Sequence, residues 1–190
     1  MPPAASSAPS TSVNRRLLPP DADNIARTDR LVIRRLRRDD FGDFHAITSN
    51  PDVMRYIDDG QPHSAEMAGK WFDVFLDSYV TRGWGCYGVT LQDSDRLIGF
   101  CGFVEPVDHP GVIDLMYAFL PDHWGNGFAT EAARAVVDFG FRQCGMNRID
   151  AAVTAGHDAS IRVLEKVGMA FEKRETDEDG DLVEYYAITR

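Results

Sequence analysis

Apolar and polar residues alternate over residues 30–36 (RLVIRRL), the period of a half-buried strand. A helix is predicted from Asp39 to about Thr48, broken by Asn50-Pro51, with a further helical turn over 52–56. Ser64 stands as N-cap to a longer helix in which Met67, Trp71, Phe72, Phe75 and Leu76 recur at helical offsets. Strand-like runs follow at 84–91, 97–104 and 112–120, the last two separated by EPVDHPG, whose prolines and glycine predict a loop. After a glycine-rich turn at 123–127, Ala129, Ala132, Ala133, Val136, Val137, Gly140 and Phe141 form an i, i+3, i+4, i+7 stripe, the mark of an amphipathic helix. A strand at 148–154 and a helix at 159–167 stopped by Gly168 come next. Two strands close the pattern, at 170–174 and 182–189, joined through TDEDGD with Asp179-Gly180 as the hairpin turn. This order predicts a single α/β domain around a mixed sheet.

Composition adjusts the boundaries. Residues 1–27 are rich in Pro, Ser and Ala and offer little to bury, so a disordered tail is expected there, with the folded domain over 28–190. The opening residues have no apolar h-region and do not read as a secretory signal. No apolar run approaches the roughly 20 residues of a membrane span. Cys86, Cys101 and Cys144 lack metal-ligand spacing and sit among apolar neighbours, which suits small buried hydrophobes and a cytoplasmic location. Twenty basic and thirty acidic residues leave a formal charge of −10, which disfavours a nucleic-acid partner held through phosphates. The charge suits a cationic substrate such as an amine, and it serves solubility equally well.

Candidate chemistry concentrates at residues 120–132, LPDHWGNGFATEA. A strand ends, the chain turns through Gly125 and Gly127, and a helix begins at once. The first N–H groups of such a helix lack helical partners and carry the positive end of its dipole, while glycines admit a ligand close to the backbone. The combination can cradle a pyrophosphate. A Walker loop is excluded by the missing Gly-Lys-Ser/Thr, and a dinucleotide fingerprint fails because Thr130 occupies its third glycine position. Two readings stay open on this pattern alone: an anion cradle, or a strand–turn–helix junction whose glycines serve geometry.

The run W-G-N-G-F-A-T-E-A resembles the acetyl-CoA pyrophosphate loop of the GNAT superfamily of N-acetyltransferases, written Gln/Arg-x-x-Gly-x-Gly/Ala, with Trp124, Gly127 and Ala129 in its slots. It is most similar to the branch containing the ribosomal-protein N-terminal acetyltransferases. Trp124 departs from the broad pattern and removes one polar side chain from the phosphate shell. A second block, HDASIRVLEKVGM at 157–169, resembles the family's Asn-x-Ala-Ser-x-x-x-Leu/Tyr-Glu-Lys-x-Gly-Phe helix, and the likeness extends over 28–190. The resemblance implies an α/β (α+β) fold with a mixed, mostly antiparallel central sheet flanked by helices. It implies acetyl-CoA as co-substrate with no metal, and a small-molecule or peptide amine as acceptor. It implies no nucleic-acid or membrane partner and allows a homodimer through a sheet edge. By the same likeness, Tyr117, Ala118, Phe119 and Leu120 form the acetyl platform. Trp124, Gly125, Asn126, Gly127, Phe128, Ala129 and Thr130 meet the phosphates, and His157 and Ser160 meet the cofactor from the second block.

Asp114 aligns with the acid of the family-like pattern Glu-Ile-Gly-Tyr, here Asp114-Leu115-Met116-Tyr117, and is the first candidate base. Alternation puts Asp114, Met116 and Ala118 on one face of the strand and Ile113, Leu115, Tyr117 and Phe119 on the other. The bland alternative for Asp114 is a solvated strand-end aspartate. Glu105 is a second candidate base, whereas His109 and His123 read as exposed loop residues. Where many relatives carry a proton-donating tyrosine this chain has Leu164, and Ser160, one turn earlier, either reaches the sulfur region or bonds to backbone. His157 replaces the usual asparagine and either bonds to the cofactor or caps the helix. Trp71, Phe72 and Phe75 read as packing. Arg34, Arg35, Arg37 and Arg38 read as a basic cluster solvated or paired with acids, one of them free to meet the adenosine phosphate. The implied function is acetyl transfer to an amine. The alternative is a non-catalytic acyl-CoA-binding regulatory module, suggested by the missing tyrosine.

Overall fold

One strand precedes the expected domain boundary. The computed structural model describes residues 23–106, 109–177 and 180–190. Most of the expected tail, residues 107–108 of the predicted loop and Asp179 of the predicted hairpin turn lie outside those residues. The expectation of a tail through Arg27 is corrected at its end: β1 (Asn24–Arg27) pairs with β2 (Leu31–Arg34), and Ile25 and Ala26 pack against the core. A turn closed by Thr28 N–H donating to the Leu31 carbonyl at 3.0 Å joins the two strands.

The chain continues through a 3-10 turn (Arg38–Asp40), α1 (Phe41–Thr48), α2 (Pro51–Met54), α3 (Ala65–Thr81), β3 (Cys86–Leu91), β4 (Leu97–Val104) and β5 (Asp114–Phe119). A second 3-10 turn (Pro121–His123) leads to α4 (Phe128–Arg142), β6 (Arg148–Thr154), α5 (Asp158–Val167), β7 (Ala170–Thr176) and β8 (Leu182–Thr189). Caps explain several boundaries. Asn50 Oδ1 accepts from Asp52 N–H at 2.9 Å with Pro51 at the first helical position, and Ser64 Oγ accepts from Met67 N–H at 3.2 Å. Gly168 ends α5 in the left-handed region, φ 98°.

The eight strands form one sheet in the order β1-β2-β3-β4-β5-β6-β8-β7. All neighbours are antiparallel except β5 and β6. On one face, Leu31, Ile33, Val89, Leu115 and Phe119 pack against Ala132, Ala133, Val136 and Val137 of α4 and Leu164 of α5. On the other, Phe100 and Ala118 pack against Phe44 and Ile47 of α1 and Phe72 and Phe75 of α3. The predicted alternation along β5 therefore holds, with Leu115 and Phe119 on one side and Met116 and Ala118 on the other. Met67 was expected in the packed stripe of α3 but is 40% exposed, and Ala68 beside it takes the buried position in the first turn.

Tyr79, at the end of α3, joins the helix layer to the sheet. Its hydroxyl donates to the Cys86 carbonyl and accepts from Leu36 N–H at 3.1 Å, all three residues being buried. Tyr79→Phe keeps the ring and breaks both bonds, so a loss of about 2 kcal/mol is expected in urea unfolding at pH 7. A loss under about 0.5 kcal/mol would refute this role.

The feature that positions the site is the parting of β5 and β6. Only Asp114 is in register with β6, opposite Asp150, and Asp150 N–H donates to the Ile113 carbonyl at 2.8 Å. Beyond that pair the strands diverge.

Candidate active site

The divergence opens a cleft of about 830 Å³, a volume suited to a small-molecule site. Its walls are β5, the N-terminus of α4, the β6–α5 loop with α5, and residues 52–58.

The glycine turn sits at the head of α4. Gly125 and Gly127 have φ of 75° and 78°, left-handed values that a β-carbon disfavours. Gly127 is the N-cap, and its carbonyl accepts from Glu131 N–H at 3.0 Å. The N–H groups of Phe128, Ala129 and Thr130 thus lack helical acceptors and lie at a helix end that attracts anions. Arg30 braces this turn: Nη1 donates to the Asn126 carbonyl at 2.9 Å, Nε donates to Glu131 at 2.7 Å, and the guanidinium lies 4.5 Å from the Phe128 ring centroid. Trp124, expected in the phosphate shell, donates its indole N–H to the Phe119 carbonyl at 2.6 Å with its ring half exposed. It ties the end of β5 to the turn.

Asp114 stands where β5 and β6 part, half-buried and lining the cleft. Burial, reinforced by the charge of Asp150, pushes its carboxyl up to about 6.

Tyr117 and Ser160 meet across the cleft. The Tyr117 hydroxyl lies 2.7 Å from Ser160 Oγ and 3.2 Å from the Ser160 carbonyl oxygen. Burial raises the Tyr117 phenol above its ordinary range, so the hydroxyl stays protonated. Leu164 is 1% exposed in the core beneath α5.

His157 is the N-cap of α5 through its backbone, its carbonyl accepting from Ile161 N–H at 3.1 Å, while its side chain makes no capping bond and lines the cleft. Its ring stacks on Tyr56, centroids 4.1 Å apart at 15°, so the α2–α3 segment touches the β6–α5 loop over the cleft. Burial lowers the His157 pKa and favours the neutral ring. Beside Tyr56, Asp58 is held in a left-handed conformation, φ 55°, and its carboxylate lies 3.2 Å from Nε2 of buried His63.

Eleven of the expected cofactor positions line the cleft: Tyr117, Ala118, Phe119, Trp124, Gly125, Gly127, Phe128, Ala129, Thr130, His157 and Ser160. Leu120 and Asn126 do not. Leu120 packs with the α1–α3 cluster, and the Asn126 amide donates to the His123 and Trp124 carbonyls. Glu105 is also away from the cleft, paired with Arg82 at 2.9 Å and accepting from Gly111 N–H at 2.7 Å. The basic cluster is turned elsewhere: Arg34 grips Asp40 at 2.7 and 2.8 Å, Arg37 faces Asp23, Arg38 faces Asp73, and Arg35 lies over the Tyr79 ring. The cations that do line the cleft, Arg55, Arg162 and Lys166, gave no such signal in the sequence, although Arg162 and Lys166 lie one turn apart inside the second block. His123, expected in an exposed loop, lies at the cleft rim. Among the described residues no group of three His, Cys, Asp or Glu could hold a metal ion, and no helix is long and apolar enough to cross a membrane.

Comparison with known proteins adds four findings. The sequence model of the acetyltransferase (GNAT) domain matches residues 30–170. An uncharacterized N-acetyltransferase, YoaA, of Bacillus subtilis is 34% identical over 144 residues, covering 76% of this chain and 81% of its own. The spermidine N(1)-acetyltransferase of Escherichia coli is 25% identical over 150 residues, covering 74% and 73%. Among solved structures, a GNAT-family acetyltransferase from Bacillus anthracis superimposes with a TM-score of 0.74 at 27% identity, covering 86% of this chain and 96% of that one.

Proposed function

The chain belongs to the GNAT acetyltransferase family, and on that premise we propose which of its residues carry the transfer and which acceptor it takes. It is an N-acetyltransferase with acetyl-CoA as co-substrate. The cleft fits that molecule: three free N–H groups at the head of α4, two glycines without side-chain bulk, and Arg162 and Lys166 on the adjoining helix suit its phosphates. When bound, acetyl-CoA supplies a thioester carbonyl and a thiolate leaving group.

Asp114 is the general base. The observation that carries this reading is a half-buried carboxylate, raised to about 6, standing where the central strands part. At neutral pH it is ionised and takes the proton an incoming ammonium must lose. The backbone of β5 beyond Asp114, lacking a strand partner on the β6 side, polarises the carbonyl. Ser160 donates a hydrogen bond to the departing sulfur, since the core position of Leu164 leaves no hydroxyl one turn later.

The acceptor is a small molecule with more than one ammonium group. Asp52 and Asp58 line the same cleft as Asp114, and the nearby Arg55 guanidinium lies over the Tyr56 ring at 5.3 Å. The formal charge of −10 draws polycations, and the relative that acetylates spermidine supports the same class. The test is thiol release from acetyl-CoA with diamines, polyamines, monoamines and peptide N-termini. Polyamines should exceed a monoamine of equal length by about tenfold or more in kcat/KM, the value of one added ion contact. A preference for peptides would move the acceptor assignment. Tight acetyl-CoA binding without turnover on any amine would favour the regulatory module.

A further inference from the structure

We infer that Tyr117 is a positioning residue whose hydroxyl turns the proton of Ser160 into the cleft, toward the departing sulfur. This rests on the reading of Ser160 given above. The two hydroxyls come from different elements, Tyr117 from the centre of β5 and Ser160 from the first turn of α5, and both line the cleft.

A serine in the first turn of a helix has an alternative use for its hydroxyl, since it can donate to backbone within its own turn. The 2.7 Å contact with Tyr117 competes with that habit. Either hydroxyl can donate across that contact, which gives two arrangements to compare. In the first, Tyr117 donates to Ser160 Oγ, leaving the serine proton free to point at a third group. In the second, Ser160 donates to the Tyr117 oxygen, and Tyr117 donates to the Ser160 carbonyl at 3.2 Å. The phenol is the stronger donor of the pair, and its contact to Oγ is the shorter one. Negative charge growing in the cleft favours the first arrangement over the second, in which both protons are already engaged within the pair.

The balance of the step is simple. The amine nitrogen bonds to the carbonyl carbon, the carbon–sulfur bond breaks, and sulfur takes the electron pair, held by the Ser160 hydrogen bond. The attacking nitrogen sheds its remaining extra proton, and that proton neutralises the thiolate through solvent. Neither hydroxyl is consumed, and Tyr117 touches no reacting atom.

Three variants test this, Tyr117→Phe, Ser160→Ala and the double variant, each assayed with acetyl-CoA and with an acetyl thioester of an aromatic thiol. The aromatic thiolate leaves without help, so a group that serves only the leaving sulfur becomes dispensable. With acetyl-CoA, Tyr117→Phe should lower kcat by about tenfold to a hundredfold, leaving KM for acetyl-CoA unchanged. The double variant should be no slower than Ser160→Ala, as expected for residues acting as a unit. With the aromatic thioester, kcat/KM of all three should return to within about threefold of wild type. Tyr117→Phe keeps the ring, and a melting curve close to wild type should show that the fold is retained. An equal loss on both donors would overturn the proposal by making the hydroxyl structural. Slow Ser160→Ala with wild-type Tyr117→Phe would overturn it alone. Wild-type Ser160→Ala would instead remove the reading of Ser160 on which it stands.

Discussion

Asp114→Asn should lower kcat by about a hundredfold to ten-thousandfold while leaving acetyl-CoA binding intact, the usual range for removing a general base. The amide is isosteric, so packing beside β6 is retained. The pH profile makes the test specific. A base works when ionised, so wild-type kcat/KM should rise as pH increases through about 6 and then level off until the amine titrates. The variant should lose that rise.

Stability should move the other way. The carboxyl titrates near its ordinary value in the unfolded chain and at about 6 in the folded one, so between these pH values the folded state binds more protons. Stability on account of this group therefore falls as pH rises through that window, and the full cost is present at pH 7. Asparagine carries no charge to bury. Asp114→Asn should thus be more stable at pH 7 by on the order of 2 kcal/mol, and no more stable below pH 4. Chemical unfolding at the two pH values checks the sign. A variant within about threefold of wild-type turnover would remove Asp114 from the mechanism.

Gly127→Glu should abolish acetyl-CoA binding in isothermal titration, with affinity reduced about a hundredfold or more. Two effects have to be separated. Any side chain at φ 78° is strained by about 1–2 kcal/mol, yet a β-carbon there meets only Arg30 Nη2, at 3.7 Å. Gly127→Ala therefore isolates the strain: it should lower the melting temperature but keep most of the binding. Glutamate adds a negative charge beside the three N–H donors that would otherwise face the phosphates. Folded Gly127→Glu that binds acetyl-CoA within about threefold of wild type would refute the cradle.

The parts of this site readable in the sequence were those written locally. The limits of β4, β6 and β8 match the predicted runs because alternation within one segment decides them. The glycine turn and the serine block were likewise visible, since turn and helix head are consecutive residues. β1 was not, because four residues, NIAR, carry one isoleucine and one alanine against a polar, proline-rich background. The remaining details depend on distant elements. Arg30 reaches a turn almost a hundred residues away, and the Trp124 indole N–H is taken by the Phe119 carbonyl because the chain doubles back over five residues. Tyr117 and Ser160 lie 43 positions apart, and no spacing rule joins them. The pairing of Arg34 with Asp40 was foreseeable in kind, since a buried guanidinium requires a carboxylate, although its burial was not.

The two walls of the cleft rest on separate supports. The proposed phosphate side belongs to α4 and α5 and their cluster, while the proposed acceptor side is the short stretch 52–58 after α1, backed by the cluster on the opposite face. That stretch contributes no strand to the sheet. Descendants of such a chain can therefore redraw the acceptor wall, residue by residue, without unsettling the donor half or the base between them. Divergence in substrate preference is cheap for this architecture, whereas divergence in chemistry would require rebuilding its centre.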